Sequence, residues 1–380
     1  MNASAVRATR LLFLVEGSCF GVWGAHVPSA KAHYGLSEGT LALALLAASL
    51  GALAILGVAG RLVAHFGAQQ VVRGAGLLMT ASLGVLLLPA PAAPGTPWVL
   101  WALLALFGAS SALADVAINA EGAVLEAQAG RKLMSGLHGF FSLGGMLGAV
   151  AVAGLLKLQV PAAVQMAGLS LLLAALLLPA SRHMLPAHPR LREQEGEAAT
   201  PRRPQGRLTL LGLLAALALL AEGAMYDWSV LFLQSQTGAT PAFAALGYAA
   251  FCGAMAAMRF AGDALRERHP PARLMAAGAL LAAGALLVAL WLRQPWVGLL
   301  AFALVGVGLA NGVPLLFVAA SQVRGVTPAT GIATVTALGF FGFLSGPPLI
   351  GALAEAASLS QALGVVVLCC LVLALAARKL

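Results

Sequence analysis

Twelve apolar runs, each long enough to cross a bilayer, take up almost the whole of this sequence. They lie near 9–30, 38–63, 71–90, 98–127, 133–157, 160–181, 208–235, 241–264, 272–292, 296–322, 328–353 and 358–377. A spanning helix needs about 20 mostly apolar residues to cross roughly 30 Å of hydrocarbon. A chain built this way has no water-soluble solution. Of its 380 residues 61% are hydrophobic and only 9% charged, where a soluble domain carries about 25% charge. The expected fold class is therefore all-α integral membrane, with twelve transmembrane helices. One stretch, His183 to Arg207, is too polar to pack a core. It splits the chain into residues 1–182, an N-terminal six-helix bundle, 183–207, a cytosolic linker, and 208–380, a C-terminal six-helix bundle.

The net charge of +9 would suggest nucleic acid in a soluble protein. Here its distribution matters more than its sum, and no nucleic-acid partner is expected. With twelve spans and the N-terminus inside, only Lys31, Lys157 and Arg293 of the 22 Lys and Arg residues fall on the outer side. That asymmetry obeys the positive-inside rule and predicts that both termini are cytosolic. The four cysteines, Cys19, Cys252, Cys369 and Cys370, all lie in apolar runs and form no C-x-x-C pair, so they read as packing residues. Met1 to Arg10 is a short basic arm with no cleavage site after it, and no signal peptide is expected.

The two halves echo each other. Gly139-Phe140-Phe141 in the fifth run recurs as Gly339-Phe340-Phe341 in the eleventh, and Glu16-Gly17 in the first as Glu222-Gly223 in the seventh. Trp23 and Trp228 follow those two pairs at similar distances. Parallel repeats of this kind build a central site between two rocking halves. After the second run, Gly60-Arg61-Leu62-Val63-Ala64-His65-Phe66-Gly67 is followed in the second half by an equivalent Arg259-Phe260-Ala261-Gly262-Asp263.

On these residues the chain resembles the major facilitator superfamily along essentially its whole length. The first-half loop looks like a decayed copy of that superfamily's G-x-L-A-D-R-x-G signature, with Ala64 where the acid would stand. Asp115-Val116-Ala117-Ile118-Asn119, Glu126 with Gly130-Arg131, the run Glu222 to Ser229 and Gly342 to Pro348 add a closer likeness to the bacterial fucose-permease-like branch. The resemblance implies alternating access in the bacterial inner membrane, by a monomer whose partners are a small solute, protons and the lipid bilayer. It also implies that the first, fourth, seventh and tenth helices border the cavity, placing Glu16, Asp115, Asn119, Glu222 and Asn311 there. Arg259, Asp263, Glu126 and Arg131 would serve gating at the cytosolic junctions.

A charge at bilayer depth costs about 3 kcal/mol on insertion scales, so an acid found there is a functional candidate. Glu16, Asp115, Glu121, Glu222 and Asp227 lie within the runs, and no Lys or Arg is expected at comparable depth. Carboxyls without a fixed cation suit proton uptake and release. At about 100° per residue, Asn119 shares the face of Asp115 and Tyr226 that of Glu222, whereas Asp227 lies about 140° round from Glu222. The proton-coupling candidates are Glu222, Asp115, Glu16 and His138, a histidine that could shuttle protons. The substrate-binding candidates are Asn119, Trp23, Tyr226, Asp227 and Asn311. A packing role is the competing reading for each, above all for His138 and the aromatic residues.

The functional expectation is a secondary active transporter, not an enzyme, and it needs neither metal nor cofactor. No G-x-x-x-x-G-K-[ST] or H-E-x-x-H motif occurs, and Gly306-x-Gly308 lies inside an apolar run with no strand before it. The alternative is a proton-driven exporter of drugs or metabolites. Efflux facilitators usually carry a Gly-Pro step in the fifth helix, which here sits in the eleventh, at Gly346-Pro347. Pro314 and Pro347-Pro348 are expected to kink the tenth and eleventh helices.

Overall fold

The structure, a computed structural model, describes residues 2–88, 97–130, 132–185 and 206–379. The described residues form helices and no strand. The first half contains α1 (Ala3–Tyr34), α2 (Glu38–Phe66), α3 (Ala68–Val85), α4 (Trp98–Ala129), α5 (Met134–Lys157) and α6 (Ala162–Ser181). The second contains α7 (Gly206–Thr237), α8 (Pro241–Arg268), α9 (Pro271–Leu292), α10 (Pro295–Leu309), α11 (Gly312–Ser321), α12 (Pro328–Ala356), α13 (Leu359–Ala362) and α14 (Gly364–Ala376). Most of the polar stretch 183–207 lies outside the described residues.

Local chemistry fixes where these helices begin and end. Asn2, Ser37, Thr240, Thr327 and Ser358 each accept a hydrogen bond from a first-turn N–H. Pro241, Pro271, Pro295 and Pro328 take the first helical position, where a missing N–H costs nothing. Gly35 and Gly130 close α1 and α4 in the left-handed region, at φ 62° and 60°.

The tenth run is not one continuous helix. It breaks at Ala310–Asn311, because Pro314 has no N–H to return to the Ala310 carbonyl. The twelfth run breaks at Leu363. Pro347 and Pro348 stand inside α12 without interrupting it. Counting α10 with α11 and α13 with α14 leaves twelve traverses among the described residues. Eleven of them are long and apolar enough to cross a membrane; α3, with 18 residues that include Gln69, Gln70 and Arg73, is the exception.

The two halves pack by the same plan. In the first, α1 lies on α5, α2 on α4 and α3 on α6; in the second, α7 lies on α12, α8 on α10 and α9 on α14. Glycines make the equivalent seams. Gly144 sits on the Leu14 carbonyl between α5 and α1, and Gly342 on the Ala216 carbonyl between α12 and α7. Backbones this close gain dispersion that lipid tails cannot supply. The Gly-Phe-Phe repeat itself does not pack alike: Gly139 faces Phe260 of α8, across the halves, whereas Gly339 faces Leu219 and Ala215 of α7.

The halves meet along α5 with α8 and along α2 with α12. On the face opposite the termini, the Glu355 carboxylate at the end of α12 accepts the Gly39 N–H at the start of α2, at 2.9 Å. One turn further in, Gly351 abuts Ala42. Removing the carboxylate with Glu355→Ala forfeits about 1 kcal/mol of this tie, enough for an about fivefold change in population. The expected result is severalfold faster labelling of an Ala42→Cys reporter by a membrane-impermeant maleimide. An unchanged labelling rate would show that the tie does not hold this face shut.

Candidate functional site

The most connected polar cluster lies between the halves, where α7, α8 and α5 converge. Glu222 of α7 is buried, with 9% of its surface exposed. Its Oε1 accepts from Arg259 Nη2 of α8 at 3.0 Å and from the Tyr226 hydroxyl at 3.2 Å. The second arm of the same guanidinium, Nη1, donates to Ser142 Oγ of α5 at 2.7 Å. Ser142 in turn donates to the His138 carbonyl. Ser135, near the start of α5, donates to the Arg259 carbonyl at 2.9 Å. A single arginine therefore ties the carboxylate of one half to the hydroxyl of the other.

This corrects the expectation that the interior holds no cation. Arg259 is placed more than two turns before the end of α8, and its long side chain reaches back along the helix towards Glu222. Arg61, which read as its first-half counterpart, sits closer to the end of α2 and is exposed. The expectation that Arg259 works at the cytosolic junction gives way to a buried ion pair. Of its expected gating companions, Arg131 and the Asp263 side chain lie outside the described residues.

Asp115 and Asn119, one turn apart on α4, meet as their spacing requires: Asn119 Nδ2 donates to Asp115 Oδ1 at 2.7 Å. Glu16 of α1 is 3% exposed, and its Oε2 has no hydrogen-bond partner among the described residues. Asp115 lies within electrostatic reach of it. Phe20, one turn on from Glu16, packs edge-on against Phe107 of α4 and tilts against Phe141 of α5. Trp23 is buried on the same helix. The first half thus presents two acids without a cation, and the second an acid with one.

The other candidates scatter. His138 packs its ring against Phe13 and lies within electrostatic reach of Arg259. Asp227 is half-buried and stands apart from Glu222, within electrostatic reach of Tyr248. Asn311 follows the break between α10 and α11, with 8% of its surface exposed, and turns towards Gly262 of α8 rather than Glu222. Glu126 caps the start of α5, accepting the N–H groups of Leu133 and Met134 at 2.6 and 2.9 Å. Glu121 likewise accepts the Leu185 N–H. Among the described residues no group of three His, Cys, Asp or Glu could hold a metal.

Two roles escaped the sequence reading: Ser142 as the far partner of Arg259, and Glu355 as an acceptor across the halves. The available signal was the distance of Arg259 from the end of its helix, since an arginine that deep needs a partner within reach.

Two repeated six-helix bundles with a charged cluster buried between them define a polytopic membrane protein of the transporter class. The chain belongs to the major facilitator superfamily, whose sequence profile it matches over residues 11–328. It is 34% identical to an uncharacterised major facilitator-type transporter of Yersinia pestis, covering 98% of this chain and 94% of the other. In structure it is similar to a variant of the nucleoside transporter NupG, with a TM-score of 0.77 at 14% identity, covering 100% and 99% of the two chains. It is also similar to a variant of the E. coli fucose:proton symporter FucP, at 0.64 and 19%, covering 100% and 98%. The chain is a major facilitator-type transporter; its relatives and its fold are those of transporters rather than enzymes.

Proposed function

We propose that this chain is a proton-coupled secondary transporter that moves a small solute across the bacterial inner membrane by alternating access. One observation carries the reading: Arg259 is bonded at once to Glu222 in its own half and to Ser142 in the other. While Glu222 is ionised, the guanidinium is held between them. A proton on Glu222 removes the charge that compensates Arg259, and an unpaired buried cation is costly, by about 3–5 kcal/mol where one partner of a buried pair is lost. Arg259 then seeks water or another acceptor, and its bond to Ser142 goes with it. Protonation is thereby converted into a change in how the halves hold each other.

Tyr226 orients Glu222 by donating to the oxygen that Arg259 uses. Glu16 and Asp115 form a second proton-carrying pair in the first half, and Asn119, Trp23 and Asp227 supply solute contacts. Both termini lie in the cytosol, and the working unit is a monomer.

The experiment is proton uptake into proteoliposomes that trap a pH-sensitive dye. The probes are L-fucose, nucleosides, polyols and amines, the first two chosen because FucP and NupG are named for them. A solute whose addition acidifies the lumen supports the reading; a solute that accumulates with no proton movement contradicts it. Ser142→Ala removes only the far end of the tie. It is expected to lower coupled uptake about tenfold while solute binding stays near wild type, because one hydrogen bond to a charged group is worth about 1.5 kcal/mol. Binding isotherms beside uptake rates separate the two.

A further inference from the structure

On the side of the ion pair away from the termini, the halves meet a second time through an aromatic ring. Tyr248 lies two turns into α8 and is 1% exposed. One edge of its ring fills the space that a side chain at Gly24 of α1 would take: a Cβ there would overlap the ring and meet Cζ at 3.0 Å. The opposite edge lies over Gly145 of α5, where a Cβ would stand 3.5 Å from Cε1. Two glycines on different helices thus form a notch that one ring fills.

The notch belongs wholly to the first half and its occupant wholly to the second. Gly21 sets α1 on the Gly145 carbonyl and Gly148 sets α5 on the Ser18 carbonyl, so the two walls move as one body. Backbones packed this closely leave the notch no room to widen. Tyr248 is backed in turn by Tyr226 of α7, with ring centroids 5.6 Å apart and planes inclined by 45°. The ring therefore fits in one relative position of the halves. That position is the one in which Gly351 abuts Ala42 and the face opposite the termini is shut.

We propose that Tyr248 is a gating residue: its ring locks into the Gly24–Gly145 notch to hold that face shut, and leaves the notch when the face opens. The gate rests on the alternating access proposed above and adds a residue to it. Tyr226 joins it to the proton site, since its hydroxyl bonds Glu222 while its ring bears on Tyr248. A change of charge at Glu222 thus reaches the gate through one side chain.

The test is the labelling rate of the Ala42→Cys reporter by a membrane-impermeant maleimide, read without solute and without proton movement. Gly24→Ala keeps α1 a good helix but puts a methyl group where the ring sits, so only the shut state is strained. Labelling is expected to rise about tenfold, within the range of core overpacking. Tyr248→Leu empties the notch and speeds labelling likewise, whereas Tyr248→Phe keeps the ring and labels as wild type. Gly24→Ala combined with Tyr248→Leu matches a smaller side chain to a smaller notch and returns the rate to within about twofold of wild type. An unchanged rate in Gly24→Ala, rates that multiply in the double variant, or fast labelling in Tyr248→Phe overturns the assignment. The two Tyr248 variants decide it by themselves if Gly24→Ala does not fold. Proton uptake without these labelling changes removes the gate alone; the labelling changes without proton uptake leave the gate standing and deny the coupling.

Discussion

Glu222→Gln is expected to abolish proton-coupled uptake, by about 100-fold or more, while the protein still inserts and folds. The carboxamide keeps the shape of the side chain and can still accept from Tyr226. Like a protonated Glu222, however, it carries no charge to hold Arg259, so the variant is fixed in the uncharged state and cannot switch. The replacement also leaves the guanidinium without a compensating charge, which costs about 3 kcal/mol. Thermal stability therefore falls together with coupling. The companion change separates the two effects. Adding Arg259→Gln removes the orphaned cation and restores stability, because a pair deleted as a unit costs less than either half alone. Coupling stays lost. Recovery of uptake in the double variant would show that neither charge carries the proton step.

The second large effect is structural, and it tests the repeat. A Cβ added at Gly144 would overlap the Leu14 carbonyl and approach the Ser18 nitrogen at 2.9 Å. At Gly342 it would overlap the Ala216 carbonyl in the same way. Gly144→Leu and Gly342→Leu force apart α1 from α5 and α7 from α12. The expected cost exceeds about 3 kcal/mol, the upper range of ordinary overpacking, because the obstructing atoms are backbone. Loss of the monodisperse peak in size-exclusion chromatography after brief heating reports it. Gly154→Leu and Gly168→Leu, where nothing lies within 4 Å, serve as the matched controls and are expected to behave as wild type. Equal stability of all four would deny that these seams hold the bundles together.

How far the sequence alone carries this account depends on the range of the interaction. Hydropathy located all twelve traverses, because hydrocarbon admits backbone only as closed helices and each apolar run had to be one. Helical periodicity placed Asn119 on Asp115 and Tyr226 on Glu222, contacts made within a single turn. It failed where the partner came from elsewhere in the chain. Arg259 lies 37 residues from Glu222 and 117 from Ser142, and nothing in the local pattern marks either as its acceptor. Counting charge by position on the run also misjudged depth, since an arginine reaches well beyond its own Cα. Pro314 was legible as a disturbance of the tenth helix, but not the outcome, a break that turns Asn311 onto Gly262. Glu126 read only as a gating residue, because its capping of α5 depends on how the chain returns at Leu133.

The central claim is that the charge on Glu222 sets how the halves hold each other, and it can be tested without knowing the solute. Spin labels at Gln128 of the first half and Arg324 of the second are both exposed on the terminus side, and the four native cysteines are buried. Double electron–electron resonance between mildly acidic and mildly alkaline buffer would then report the separation of the halves. The account predicts a pH-dependent shift in the wild-type distance distribution and a single, pH-independent distribution in Glu222→Gln. The same shift in both proteins would contradict it.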